Sequence, residues 1–127
     1  MRLPSSTWLA ALGALLACAG NPGPDSEPDL RPDGPVRLEI ENRSWTDAAI
    51  YLLSGGLTRR VGFVTGVSTR TFWVSAAELG VTGEIRLQAH PIGSGSSLTT
   101  ETLLVHPGQM VRFTLENHLA NSAVGVY

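Results

Sequence analysis

The amino-acid sequence predicts an all-β fold, a small antiparallel β-sandwich of seven or eight strands that follows a leader and a linker. Two observations support this class. After Pro35 the chain consists of short runs in which apolar and polar residues alternate, and Gly, Asn, Ser and Pro separate these runs roughly every eight to twelve residues. No run has the longer period of an amphipathic helix. We therefore assign residues 36–127 to one β-sandwich domain, a size that suits a single core.

Three strands are predicted in the first third of this domain. Residues 36–42 alternate perfectly between apolar and polar side chains, which indicates a half-buried strand. Residues 48–53 and 57–65 form a hairpin, because Gly55 and Gly56 supply the positive φ angles of a tight turn. The side chains expected to face the core are Val36, Leu38, Ile40, Ala48, Ile50, Leu52, Val61 and Phe63.

A fourth strand is predicted over residues 68–74, and its pattern leaves open whether Phe72 or Trp73 faces the core. A single helical turn should follow it. Ser75 and Glu78 have the spacing of a capping box, in which each side chain bonds the backbone of the other residue, and a glycine closes the turn.

The second half of the domain continues the alternation. Strands are predicted over residues 84–90, 99–105 and 110–116, with an eighth over residues 123–127 and a flexible loop over residues 91–97. The side chains expected to face the core are Ile85, Leu87, Ala89, Val111, Phe113 and Leu115.

The first eighteen residues carry the signal for location. The apolar run from Trp8 to Ala17 is about ten residues, too short for the roughly 20 that span a bilayer. It ends in Leu15-Leu16-Ala17-Cys18, which resembles the lipobox of bacterial lipoproteins. The resemblance implies a signal peptide of residues 1–17, lipidation and acylation of Cys18, and a lipid anchor in the cell envelope, with Ala19 favouring the outer membrane.

Two other interpretations use the same residues. Ala17-Cys18-Ala19 is also an A-x-A sequence, and ordinary cleavage after Ala19 would release a soluble secreted protein. Alternatively, the segment is a buried helix with a core cysteine.

Residues 18–35 predict a disordered linker behind the lipidated cysteine. They include five prolines and four acidic residues and almost no bulky apolar side chain, so they cannot bury enough surface to fold. Proline-rich segments extend at about 3.1 Å per residue, which gives the linker a reach of roughly 50 Å.

Charge and cysteine content exclude some classes of protein. Residues 36–127 contain seven Arg and seven acidic residues, so the domain lacks the basic surface that nucleic-acid binding requires. Cys18 is the only cysteine of the chain, so the domain cannot contain an internal disulfide.

No catalytic, cofactor or metal site is expected. His90, His106 and His118 each stand beside a predicted turn and lack the spacing of metal ligands. No serine occupies a nucleophile elbow, and Glu39 and Glu41 lie together on one solvated strand face.

The aromatic residues Trp45, Trp73 and Tyr51, with Tyr127, are the candidates for contact with a ligand or partner, because such side chains stack on sugars and anchor peptides. We expect Trp45 and Trp73 to plug the ends of the sandwich instead. An exposed indole would favour binding.

In the number and length of its strands the domain resembles the immunoglobulin-like or transthyretin-like modules of bacterial envelope proteins. The resemblance is architectural, because the cysteine and tryptophan landmarks of true immunoglobulin domains are missing, and it transfers no functional residue. With the lipobox and the linker, it predicts a membrane-tethered, non-catalytic binding, accessory or structural module of the cell envelope, with an envelope protein or a glycan as partner.

Two other functions remain open on the sequence. One is a small secreted hydrolase that acts on envelope polymer, which a cleft with two converging acids, or with an acid and a histidine, would favour. The other is a subunit that joins its sheet to a strand of a partner, which an open, uncharged edge strand would favour.

Overall fold

A computed structural model describes residues 33–127, which form nine β-strands in two packed sheets. Among these residues, no helical segment has the length and hydrophobicity of a membrane span. The predicted signal peptide, residues 1–17, and residues 18–32 of the predicted linker lie outside the described residues. The strands are β1 (Val36–Asn42), β2 (Ala48–Ser54), β3 (Leu57–Val64), β4 (Ser68–Val74), β5 (Glu84–Pro91), β6 (Leu98–Thr99), β7 (Leu103–Leu104), β8 (Met110–Leu115) and β9 (Ala123–Val126).

The two sheets confirm the predicted β-sandwich. Sheet A has four strands in the order β4-β1-β8-β9, and sheet B has the order β3-β2-β5, with β6 and β7 both pairing to β5. All strand pairs are antiparallel except β1 with β8, which run parallel. A parallel pair needs a long crossover connection, and here the strands of sheet B lie within that connection.

The core lies between the inner faces of the sheets, and side-chain alternation explains which residues reach it. In β1, Val36, Leu38 and Ile40 are buried, whereas Arg37 and Glu39 face outward. The predicted inward residues of β2, β5 and β8 are confirmed in the same way. They are Ala48, Ile50, Leu52, Ile85, Leu87, Ala89, Val111, Phe113 and Leu115.

The predicted helical turn after β4 is present as a single 3-10 turn, Ala76–Leu79. Glu78 Oε2 accepts hydrogen bonds from the Ser75 backbone N–H at 2.7 Å and from the Ser75 hydroxyl at 3.0 Å. Gly80 ends the turn with φ 72°, a conformation that favours glycine. Leu79 is buried, so the turn closes one end of the core.

The prediction that Phe63 faces the core is wrong. The pairing register between β2 and β3 shifts by one residue at Val61, which is a β-bulge. Because side chains alternate with a period of two, the extra residue reverses the face of those that follow. Val64 is therefore buried, and Phe63 lies on the outer face with the Arg60 guanidinium 5.4 Å from its ring centroid.

The continuous strand predicted over residues 99–105 is interrupted between the short strands β6 and β7. At the interruption, Thr100 Oγ1 accepts a hydrogen bond from the Leu87 N–H at 3.0 Å, and the Thr100 N–H donates to the Leu87 carbonyl oxygen at 2.8 Å. A threonine hydroxyl can replace a backbone acceptor in this way. Both backbone groups of Leu87 are thus satisfied without a regular strand.

The two ends of the sandwich carry different elements. At one, named the linker end, the chain enters β1 at Val36, and Glu78 of the 3-10 turn pairs with Arg59 of β3. At the other, named the cleft end, β1 finishes at Asn42, about 20 Å away along the strand. The loops of the cleft end are residues 43–47, 65–67, 92–97 and 116–122.

Candidate functional site

The loop that follows β1, residues 43–47, is named the Trp45 loop, and it is hydrogen-bonded to each of the other three loops of the cleft end. These contacts join segments that are distant in the sequence into one connected surface. The hydrogen bonds run from Val67 N–H to Ser44 O (2.9 Å), from Ile92 N–H to Asp47 O (2.8 Å) and from Trp45 N–H to Asn117 Oδ1 (3.2 Å).

Asn42 holds the Trp45 loop from the inside. Among residues 33–127 it is the one fully buried polar residue. Its Nδ2 donates to the carbonyl oxygens of Thr46 at 2.9 Å and Thr65 at 3.2 Å, and its Oδ1 accepts from the Ser44 N–H at 3.0 Å. Because the loss of a buried partner leaves polar groups unsatisfied, this network stabilises one conformation of the loop.

Gly66 permits the close packing of the β3–β4 turn against the Trp45 loop. A Cβ atom at this position would lie 2.3 Å from the Trp45 carbonyl oxygen. The Gly66 N–H also donates to Asp47 Oδ1 at 2.8 Å. The next residue, Val67, has φ 54°, which is a strained conformation for a β-branched side chain. The turn is thus held in its strained form by the contacts around it.

The Trp45 side chain is 80% exposed. The expectation that it plugs an end of the sandwich is therefore wrong. On the inner side of the loop, the Asn42 amide bonds the carbonyl oxygens of Thr46 and Thr65. An exposed indole on a fixed backbone offers a large contact surface at a small cost in conformational entropy.

A cleft of about 570 Å³ opens beside the Trp45 loop. Trp45 is not one of the residues that line the cleft, whereas its sequence neighbours Ser44 and Thr46 are. The lining combines seven hydroxyl and amide residues with six apolar ones, and Glu116 and His118 are its titratable groups. The polar lining residues include Asn42, Ser44, Thr46, Ser94, Ser96 and Asn117.

Arg43 neutralises the acidic group of the cleft. Its guanidinium lies 2.8 Å from Glu41 and 3.2 Å from Glu116. The hydrogen bond with Glu41 is the main cause that raises the pKa of Arg43, and Glu116 raises it further. Arg43 therefore stays cationic and offsets the charge of Glu116, the one acidic residue that lines the cleft. Such a lining suits a neutral ligand that both donates and accepts hydrogen bonds.

The other aromatic candidates lie on different surfaces. Trp73 is half-buried on the outer face of sheet A rather than plugging an end, and Phe72 takes the inward position in β4. Tyr51 is half-buried on the outer face of sheet B, where its ring packs edge-on against His90 with centroids 5.3 Å apart. The fold therefore does not bring the candidates together, and only Trp45 lies beside the cleft.

His106 and His118 are exposed, and His90 is half-buried. Within residues 33–127, no three side chains of His, Cys, Asp or Glu are grouped as a metal ion would require. Cys18, the predicted lipidation site, lies outside the described residues.

Asn42 and Gly66 were not among the site residues predicted from the sequence. A signal for Asn42 was present, because the alternation that buries Val36, Leu38 and Ile40 places residue 42 on the same face. Gly66 had no such signal, since its close contact with the Trp45 loop depends on how two separate loops meet.

No protein-family model matches the sequence, and no curated protein matches it. A similar solved structure is the NMR structure of a protein from Eubacterium rectale, which is 14% identical. The alignment covers 80% of this chain and 93% of that chain, with a TM-score of 0.44. A likeness at this level carries no inference about function.

Proposed function

We propose that this protein is a membrane-tethered, non-catalytic binding module of the bacterial cell envelope, and that its cleft end binds a neutral, hydroxyl-rich ligand such as a glycan strand. The observation that carries the proposal is the exposed Trp45 side chain on a loop fixed by buried Asn42. Sugar rings stack on indoles, and their hydroxyls pair with serine, threonine and asparagine side chains like those of the cleft.

The position of the linker supports the same function. The chain reaches the domain at Val36, and the cleft lies at the opposite end of β1. A lipid anchor at Cys18 would therefore attach through the linker end and leave the cleft end free to point away from the membrane. The linker adds a reach of roughly 50 Å.

The binding function can be tested with purified peptidoglycan sacculi as the probe. Residues 33–127 contain all the strands and the whole core described above, so this segment can be tested for co-sedimentation with sacculi. We expect Trp45→Ala to weaken binding by about tenfold or more, since stacked aromatic residues are typical hot spots. Leu57→Ala is the matched control, because Leu57 is 77% exposed at the linker end. Equal binding of the two variants would exclude Trp45 as a contact.

The anchor can be tested by intact-mass measurement of the mature protein from its native membrane. We expect a chain that begins at Cys18 and carries acyl groups, and we expect Cys18→Ser to abolish membrane attachment. A chain that begins at Gly20 would instead indicate a soluble secreted protein. An unprocessed chain would exclude both forms of export.

A hydrolase acting on envelope polymer is the second candidate, because Glu116 and His118 line the same cleft. The contact between Arg43 and Glu116 at 3.2 Å disfavours it, since the guanidinium occupies a carboxylate oxygen that a general base needs for the proton of the attacking water. Release of soluble fragments from sacculi, abolished by Glu116→Gln and His118→Ala, would favour the hydrolase over the binding module.

A further inference from the structure

The edges of the two sheets differ in how they are protected. Unpaired edge strands invite other strands, and proteins block them with charge, interruption or cover. The β3 edge carries Arg59 and Arg60, and Arg70 of the β4 edge donates a hydrogen bond to the Phe63 carbonyl oxygen at 2.8 Å. The β6/β7 edge is interrupted at Thr100. Among the edges of the described chain, only β9 has neither a charged residue nor an interruption.

The hydrogen-bond register shows which groups of β9 are free. Tyr127 and Met110 exchange two backbone hydrogen bonds, at 2.8 and 2.9 Å. In an antiparallel pair, bonded and non-bonded positions alternate, so Val124 and Val126 direct their N–H and C=O groups away from β8. A groove of about 440 Å³ runs beside this edge, between β9 and the β6 region of sheet B. No described strand therefore pairs with the free side of β9.

We propose that β9 pairs in antiparallel orientation with β9 of a second copy of this chain, with the two-fold axis at Gly125. In this register Val124 of each copy faces Val126 of the other, and each such pair exchanges both backbone hydrogen bonds. The two valines point toward the core, so the pairing continues the apolar inner face of sheet A from one copy to the next.

The composition of β9 favours a second copy of this chain as the source of the strand that pairs with it. The strand has no charge, so identical strands meet without repulsion. Gly125 and Ala123 are small and face outward, which lets the backbones approach at the axis. The Tyr127 ring lies over Gly125, with its hydroxyl oxygen 3.0 Å from the place of a Cβ atom, and in the proposed pair it is opposite Ala123 of the second copy.

The pairing is compatible with the predicted tether and the cleft. Antiparallel pairing turns the two linker ends in opposite directions. A pair attached to one membrane through two linkers of roughly 50 Å reach would therefore lie with its strands along the membrane, and both cleft ends would face sideways instead of away from it as in a single copy. None of the residues of β9 lines the cleft beside the Trp45 loop. The interface is short, so we expect weak association that is detectable only at high concentration.

A single cysteine at the axis tests the register, because residues 33–127 contain no other cysteine. In the proposed pair the two Gly125 Cα atoms lie about 4.5 Å apart, within the range of a disulfide. Gly125→Cys, combined with Tyr127→Ala to clear the place of the new side chain, should therefore form covalent dimers in a glutathione buffer about tenfold faster than Thr71→Cys in the same Tyr127→Ala background. Thr71 is the matched control. It lies on the opposite edge strand of sheet A, at the position that the strand pairing connects to Gly125 through Glu39 and Arg112. Equal rates would overturn the proposal.

Sedimentation velocity tests the association without a cysteine. At about 1 mM we expect a substantial fraction of dimer for residues 33–127, and monomer for Val126→Pro. Proline removes a donor of the proposed pairing but no hydrogen bond of the domain, since the Val126 N–H points to solvent at an edge. Circular dichroism checks that the variant stays folded. A wild-type domain that remains monomeric at this concentration, or that pairs only with a strand of another protein, would contradict the proposal.

Discussion

The side-chain amide of Asn42 donates a hydrogen bond to the carbonyl oxygen of Thr46 at 2.9 Å, across the turn that carries Trp45. This contact joins the last residue of a core strand to the loop that carries the exposed Trp45 side chain. The packing of β1 therefore determines where the indole stands. In this protein, the stability of the core and the geometry of the candidate site depend on the same buried side chain.

Asn42→Asp tests this relationship, because it keeps the shape of the side chain and removes its donor. At pH 7 the carboxylate would face the carbonyl oxygens of Thr46 and Thr65, and we expect the free energy of unfolding to fall by about 2 kcal/mol or more. Burial raises the carboxyl pKa in the folded state above its unfolded value of about 3.9. The folded state then binds more protons than the unfolded state, so the stability of the variant decreases as pH rises above about 4.

Urea denaturation at pH 4 and pH 7 measures this dependence. Asn42→Ala is the control, because it removes the same hydrogen bonds without adding a titratable group. It should lose stability to a similar extent at both pH values relative to the wild type. An aspartate variant as stable as the wild type at pH 7 would show that the amide network does not hold the loop.

Gly66→Ala should displace the Trp45 loop. The new methyl group would lie 2.3 Å from the Trp45 carbonyl oxygen, so one of the two loops must move, at a cost of about 1–3 kcal/mol. Gly95→Ala is the matched control at the same end of the domain, because a Cβ there meets no atom within 4 Å. Thermal unfolding and the tryptophan emission maximum report stability and loop position. Equal melting temperatures for the two variants would argue against the close contact.

Thr100→Val should destabilise sheet B. It removes the Oγ1 atom that accepts the Leu87 N–H at 3.0 Å and leaves this backbone group without its partner, which costs about 1–3 kcal/mol. Thr100→Ser keeps the hydroxyl and should stay close to wild type. Amide hydrogen exchange at Leu87 gives the local measurement, and we expect faster exchange only in the valine variant. Unchanged exchange would mean that the hydroxyl does not replace a strand partner.

Trp45→Ala should leave stability nearly unchanged, because the side chain is 80% exposed. We expect a change in the free energy of unfolding within about 0.5 kcal/mol. Phe113→Ala provides the contrast, since Phe113 is fully buried and its truncation should cost about 3–5 kcal/mol. Chemical denaturation measures both. A large loss of stability for Trp45→Ala would show that the indole packs on the domain rather than being exposed and free to contact a ligand.

Much of the fold could be predicted from the sequence, because alternation is a local property. The bounds of β1 and β4 agree with the predicted ranges, 36–42 and 68–74. The bulge at Val61 and the interruption at Thr100 could not be predicted in the same way. A prediction from alternation assumes unbroken strand pairing, and both features depend on hydrogen bonds with the neighbouring strand.

The candidate site was less accessible to prediction. Its geometry depends on the parallel pairing of β1 with β8, which places Asn42 opposite Leu115 and brings Asn117 to the Trp45 loop. Residues so far apart in the sequence leave no local pattern that marks their contact. Trp45 itself was named as a candidate, but the Asn42 network that fixes its loop is assembled only in the folded chain.

A titration of ¹⁵N-labelled residues 33–127 with tetra-N-acetylchitotetraose, followed by NMR, measures most directly whether the cleft end binds a glycan. We expect saturable chemical-shift changes at the Trp45 indole N–H and at the amides of Ser44, Thr46, Ser94 and Asn117, all of which vanish in Trp45→Ala. Changes confined to the outer faces of the sheets, or no changes at the solubility limit of the sugar, would contradict glycan binding at this site.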